Sequence, residues 1–240
     1  MNILYLLHAA FELPGAIETW AVEKGFNQMY VSPFLGEPIP SHSSFDLIIA
    51  MGGPQSPLSL DEAPYLKEEI TLIRNAIKAG IPVLGFCLGA QLIGEALEAS
   101  TERSPFKEVG VFPIELTEAG RLDPLLADLP SEFLVSHWHN DMPGLTKNAV
   151  VLATSPGCPR QIIRYAPHVY GFQCHPEITL QIADLLIKNC AEDLVPDKYV
   201  QSPEQFLNQD FHAINHTMHQ ILNNFLGILE KNKQAFSAGT

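Results

Sequence analysis

A chain of 240 residues is long enough for one sizeable core and too short for two typical domains joined by a linker. Hydrophobic residues make up 46% and charged residues 17%, which is a globular composition rather than a disordered one. With 14 basic and 27 acidic residues the net charge is −13, so a phosphate-backbone binder is not expected and nucleic acid is excluded as the main partner.

Met1–Leu7 is apolar but lacks a basic start and a small-residue cleavage site. It reads as a first strand, not a signal peptide. The apolar runs Leu47–Ala50 and Ile81–Leu84 are far short of a membrane span. The expectation is therefore a cytoplasmic protein without membrane contact, whose four cysteines (Cys87, Cys158, Cys174 and Cys190) are reduced.

Short apolar runs alternate with segments of helical period, which predicts an α/β fold with a doubly wound, mostly parallel sheet flanked by helices. Strand Ile3–Leu7 is followed by Pro14-Gly15 and a short helix through Trp20. Strand Phe45–Ala50 runs into Gly52-Gly53-Pro54. Ser59 with Glu62 three residues on predicts a capping box, opening a helix that carries Leu66, Ile70, Ile73 and Ile77 and stops at Gly80. Ile81–Phe86 reads as a buried strand and Leu88–Leu97 as a helix. From Glu108 to Ile163 the pattern changes to short strands and proline-rich turns. Val169–Cys174 then predicts a strand and Ile178–Cys190 a helix, closing a catalytic domain over residues 1–190. Residues 191–240 read as an appended helical extension packed on that domain. Ser202-Pro203-Glu204-Gln205 is a second capping box. Phe211, Ile214, Met218, Ile221, Phe225 and Leu229 form the apolar stripe of a long helix, which packs on the core or meets a partner.

Two segments carry chemistry. Gly85-Phe86-Cys87-Leu88-Gly89 is a G-x-C-x-G sequence between a buried strand and a helix. A sharp strand-to-helix turn there pushes the central side chain out of the sheet and tolerates only small neighbours two positions away. The thiol then sits at a helix N-terminus, where the dipole favours thiolate, and the N–H of Leu88 points where an oxyanion would form. The competing reading is one more buried cysteine, which the paired glycines disfavour. In Gly171-Phe172-Gln173-Cys174-His175-Pro176-Glu177, proline holds His175 extended, so that His175 and Glu177 project to one side. An imidazole backed by a carboxylate can exchange a proton with Cys87; the alternative is a turn with a solvated Glu and a packing His.

GFCLGAQ followed 88 positions later by GFQCHPE resembles the class I glutamine amidotransferases, and most of all the branch similar to the amidotransferase part of GMP synthase. The resemblance covers roughly residues 1–190 through MGGP, the elbow, the His137-Trp138-His139-Asn140-Asp141 stretch and HPE. It implies Cys87 as nucleophile, His175 as general acid/base and Glu177 as its orienter, with no cofactor. It further implies Gly53 as the partner of Leu88 in the oxyanion hole. Gln91 would hold the bound glutamine, and Trp138, His139, Asn140 and Asp141 would contact its amino-acid end, Asp141 pairing with the α-ammonium. Two departures from the family pattern, Trp138 in place of a small residue and Asn140 in place of glycine, widen the expected substrate from L-glutamine to other γ-glutamyl compounds. Neither a Gly-x4-Gly-Lys loop nor a Ser-Gly-Gly-rich loop occurs in the sequence, so the ammonia is expected to go to a separate synthetase as partner or simply to solvent. A subunit that binds glutamine and acts through its C-terminal helix is the alternative from another class. His212, His216 and His219 share one helical face but lack a convergent acidic ligand, so no metal is expected there.

Overall fold

The structure is a computed structural model that describes the backbone of residues 1–238 and the side chains of residues 1–231. In chain order it contains β1 (Asn2–Leu6), α1 (Ala16–Glu23), β2 (Asn27–Val31), β3 (Leu47–Ala50), α2 (Leu66–Lys78), β4 (Val83–Phe86) and α3 (Leu88–Ala96). There follow β5 (Glu102–Leu116), α4 (Glu118–Leu122), β6 (Glu132–Met142), β7 (Val150–Thr154), β8 (Ile162–Ala166), β9 (Val169–Phe172), α5 (Leu180–Asn189), α6 (Pro203–Leu207) and α7 (Phe211–Ala238).

One nine-stranded sheet runs in the order β2-β1-β3-β4-β9-β8-β7-β5-β6. Its first five strands are parallel, and the rest pair antiparallel. Side chains alternate across the parallel half, and each face has its own core. Ile3, Tyr5 and Ile49 meet Ile17 and Trp20 of α1 with Met218, Ile221, Leu222 and Phe225 of α7. Leu4, Leu6, Ile48 and Ala50 meet Leu66, Ile70 and Ile73 of α2 and Leu92 and Ile93 of α3. The apolar stripe of α7 is thus covered by the sheet. Among the described residues no helix is long and apolar enough to cross a membrane.

Three local expectations are corrected. Ser59 does not open a helix. It ends a short 3-10 turn, Pro57–Ser59, capped by Ser56, and α2 starts only at Leu66 without a side-chain cap. Pro64 explains this, because the residue before a proline is driven out of helical conformation. The box at Ser202 does form, but it serves the five-residue α6; α7 starts separately at Phe211. The region read as short strands contains the 15-residue β5 and the 11-residue β6, paired antiparallel.

The strand order reverses between β1 and β3, and in open α/β sheets ligands bind at the carboxyl ends of strands beside such a point. Four loops converge there: those after β1, β3, β4 and β9.

Candidate active site

Cys87 occupies the turn from β4 to α3 with φ 48° and ψ −106°, a conformation that costs a non-glycine residue about 1–3 kcal/mol. The flanking glycines show what sustains it. A Cβ on Gly85 would lie 2.4 Å from the carbonyl oxygen of Gly89, and one on Gly89 would lie 2.0 Å from that of Ala50. The elbow is therefore wedged between β3 and its own helix, and the Cys87 N–H donates to the Phe172 carbonyl of β9 at 2.7 Å. The N–H of Leu88 is the first of α3, where the helix supplies no acceptor. Gly53 lies alongside: a Cβ there would stand 3.1 Å from Leu88 Cδ2 and 2.4 Å from His8 Cβ.

His175 and Glu177 follow β9. Their side chains are buried and joined by a 2.6 Å contact between Nδ1 and Oε1. Burial alone would drive the imidazole towards neutrality. The Glu177 carboxylate and Cys87 beside the ring together outweigh it, and the His175 pKa stands well above its ordinary value. Nε2 of His175 is buried without a hydrogen-bond partner of its own. The segment is pinned by the His175 N–H, which donates to the Ser136 carbonyl at 2.7 Å, and by Ala16, whose N–H donates to the Glu177 carbonyl at 3.0 Å. The other cysteines differ from Cys87 in setting. Burial pushes the Cys158 thiol to about 11, Cys190 to about 12, and Cys174 well above its ordinary value.

A cleft of about 360 Å³ opens over Cys87. Gly53, Leu88, Gln91, Trp138, His139, Asn140 and Asp141 all border it. Their side chains are differently engaged. Gln91 is buried and donates to Gln173 Oε1 at 3.1 Å, and Gln173 in turn donates to Cys87 Sγ at 3.3 Å. Asp141 accepts from Ser56 Oγ and from an Arg103 nitrogen, both at 2.7 Å. Asn140 is exposed at the rim. The Trp138 carbonyl accepts from the Cys87 thiol at 3.6 Å, and its indole N–H donates to Asp193 at 2.9 Å. The His139 ring turns to Glu108, in the interior.

Several site residues were not found by sequence reasoning. His8, fully buried, has Nε2 2.7 Å from Glu69 and Nδ1 3.2 Å from the Gly52 carbonyl. Burial lowers the His8 pKa, but Glu69, with the Gly52 carbonyl and Glu12, more than compensates and the net direction is upward. With Nδ1–H donating, the Gly52 carbonyl is fixed, and a trans peptide then aims the Gly53 N–H the opposite way. Glu12 also faces the cleft, and burial raises its carboxyl to about 7 despite the nearby His175 and His8. Lys107 binds Asp193 beside Trp138. The only hint in the sequence was that His8 and Glu12 follow β1 at the reversal point. His212, His216 and His219 form no ligand set; His219 faces the Ala16 carbonyl at 2.9 Å.

Residues 27–193 match the family described as Glutamine amidotransferase class-I. The chain is 42% identical over 229 residues to the glutamine amidotransferase-like protein YfeJ of Salmonella typhimurium, covering 92% of this chain and 96% of that one. It is 35% identical over 150 residues to a glutamine-hydrolysing GMP synthase of Aeropyrum pernix, of whose length it spans 26%. Among solved structures, SMU.1228c is 41% identical, with a TM-score of 0.90 over 94% of this chain and 100% of its own. A glutamine amidotransferase of Thermotoga maritima shares the fold, with a TM-score of 0.83 at 24% identity, over 94% of this chain and 97% of its own.

Proposed function

The chain belongs to the class I glutamine amidotransferases, and we propose that within that family it is a cysteine-dependent glutaminase acting through a γ-glutamyl thioester. One observation carries this reading: the Cys87 thiol stands on a strained elbow in the cleft, close to an imidazole held at 2.6 Å by a buried carboxylate.

The Cys87 sulfur attacks the side-chain carbonyl carbon of glutamine. The N–H groups of Gly53 and Leu88 receive the negative charge that develops on oxygen. His175, protonated through Glu177, gives its proton to the departing nitrogen, and ammonia leaves as the thioester forms. Water, deprotonated by His175, then cleaves the thioester to glutamate. At the amino-acid end, Asp141 and Arg103 form a pair of opposite charges suited to an α-ammonium and an α-carboxylate. The Gln91–Gln173 chain positions the sulfur. A separate synthetase as acceptor of the ammonia, and a cytoplasmic setting, belong to the same proposal.

A second substrate class is favoured by the size of the cleft, about 360 Å³, whose lining also includes Glu12, Cys190 and Glu192. That space suits a leaving amine larger than ammonia, as in γ-glutamyl peptides or conjugates.

The test is release of glutamate and ammonia by the purified chain, with mass-spectrometric trapping of a glutamyl adduct on Cys87. Wild type is expected to turn over and Cys87→Ala to be inactive yet folded. Undiminished turnover by Cys87→Ala would end the proposal. Parallel assays on γ-glutamyl amides decide between the two substrate classes.

A further inference from the structure

A second polar cluster lies in the interior and takes no part in this chemistry. It comprises Glu108 on β5, His137 and His139 on β6, and Gln161 just before β8, all buried. Period-two alternation puts both histidines on one face of β6, and the strand register sets Glu108 opposite His139. Glu108 Oε2 lies 3.1 Å from His139 Nε2 and 3.7 Å from His137 Nδ1. The three ligand atoms fall within 4.8 Å of one another.

The outer ring nitrogens decide what the inner ones present. His137 Nε2 lies 3.4 Å from the Phe112 carbonyl and His139 Nδ1 lies 3.1 Å from the Asp141 carbonyl. A carbonyl only accepts, so each ring places a proton on its outer nitrogen. With that single proton on each ring, the inner nitrogens present lone pairs on the side of Glu108. Three electron-pair donors thus converge on one point, and a cation is what such a point accommodates.

Gln161 is the fourth member. Its Nε2 lies 2.7 Å from Glu108 Oε2, 2.9 Å from Ser155 Oγ, 3.3 Å from His137 Nδ1 and 3.4 Å from His139 Nε2. Two amide hydrogens cannot serve four acceptors, and with the NH2 turned inward the buried Oε1 has no partner. A half-turn of the carboxamide brings that oxygen inward as a further donor.

We propose that Glu108, His137, His139 and the Gln161 carboxamide oxygen form a binding site for one divalent transition-metal ion of the zinc class. Ligands at 2.0–2.2 Å in a tetrahedron stand roughly 3.3–3.6 Å apart, a spacing that the three side-chain donors, all within 4.8 Å of one another, can reach by small side-chain shifts. Two imidazoles disfavour calcium and magnesium. The outer shell is in place as well: a backbone carbonyl on each ring, and Ser155 Oγ on both Glu108 oxygens at 2.7 and 2.9 Å. A set of four protein ligands leaves no open position, so the ion's role is structural. It ties β5, β6 and the 155–161 loop together beneath the strand that carries Trp138 and Asp141.

The test uses the full chain carrying Cys87→Ala, so that the cleft thiol does not compete, stripped by a chelator and titrated with zinc or cobalt. The expected result is one equivalent bound, a zinc-dependent rise in Tm, and the visible spectrum of tetrahedral cobalt without thiolate charge-transfer bands. Adding Glu108→Gln should weaken zinc binding at least 100-fold while the metal-free fold persists, because a neutral amide can donate to a ring lone pair. His137→Gln should weaken it likewise. Absence of the cobalt spectrum together with a zinc-independent Tm would overturn the proposal and leave the cluster held by a proton. So would binding that survives Glu108→Gln, which would come from elsewhere on the chain. Should Glu108→Gln fail to fold, the cobalt spectrum of the Cys87→Ala chain decides alone.

Discussion

Placing a methyl group on Gly89 tests whether close backbone approach sustains the elbow. The added Cβ would stand 2.0 Å from the Ala50 carbonyl oxygen, 2.5 Å from its carbon and 2.9 Å from its Cβ, where ordinary contact begins at 3.4 Å. Most of this obstruction is backbone of β3, which no rotamer change relieves. Overpacking of this kind costs about 1–3 kcal/mol, and the rigid obstacle places Gly89→Ala at the upper end. The better helix propensity of alanine returns up to ~1 kcal/mol. A net loss of about 2 kcal/mol corresponds to a fall in Tm of roughly 4–8 °C for a domain of this size. Gly227 in α7 is the control, since a Cβ there meets nothing within 4 Å; Gly227→Ala should raise Tm by about 2–4 °C. Turnover separates geometry from stability. Moving α3 off β3 shifts Cys87 and Leu88 away from Gly53, and a misplacement near 1 Å costs on the order of 100-fold in rate. Calorimetry and kcat measured well below the transition provide both readings. Gly89→Ala with native Tm and full kcat would refute the argument.

Glu69→Gln removes the charge that raises His8. A histidine whose folded pKa lies above its unfolded value contributes stability in full below about pH 6.5 and loses it as pH rises through the folded pKa. The substitution should therefore cost about 1–3 kcal/mol at pH 6 and progressively less in alkaline buffer, as urea titrations across that range would show; a pH-independent cost would contradict it. Asp193→Asn weakens the anchor of Trp138 and Lys107 at the cleft rim. The expected result is a several-fold rise in KM for glutamine with kcat little changed, read from steady-state kinetics; a large fall in kcat at constant KM would argue against a purely positioning role.

The parts of the site legible in the sequence are those made by neighbours along the chain. The elbow is local, because Gly85 and Gly89 answer to one tight turn. The His175–Glu177 pairing is local too, with proline fixing the spacing between them. What stayed hidden is made by residues distant in sequence. His8 meets Glu69 61 positions away, Gln173 meets Cys87 86 positions back, and Trp138 meets Asp193 across 55. None of these pairs leaves a periodic or compositional trace. The edge strand β2 escaped for another reason: it is largely exposed and lacks apolar alternation. His137 and His139 did carry a signal, a His-x-His spacing on a strand, but without the register of β5 nothing points to Glu108.

Each loop of the site is braced by residues distant from it in sequence. His8 and Glu69 hold Gly52, β3 holds Gly89, and Asp193 holds Trp138. The HPE turn is held from two sides. Gly15, at φ 56°, brings the start of α1 so close that a Cβ would lie 2.3 Å from the Glu177 carbonyl oxygen. From the other side Asn215 of α7 donates to the carbonyls of Pro176 and Ile178, at 3.1 and 2.8 Å. Those carbonyls flank Glu177 and lie outside regular structure, so without Asn215 the turn would lose its partners on that side. The same helix covers one face of the sheet through Met218, Ile221, Leu222 and Phe225. The position of Glu177, and through it the proton on His175, thus depends on a helix that begins more than thirty residues downstream and bears no chemical group of the site.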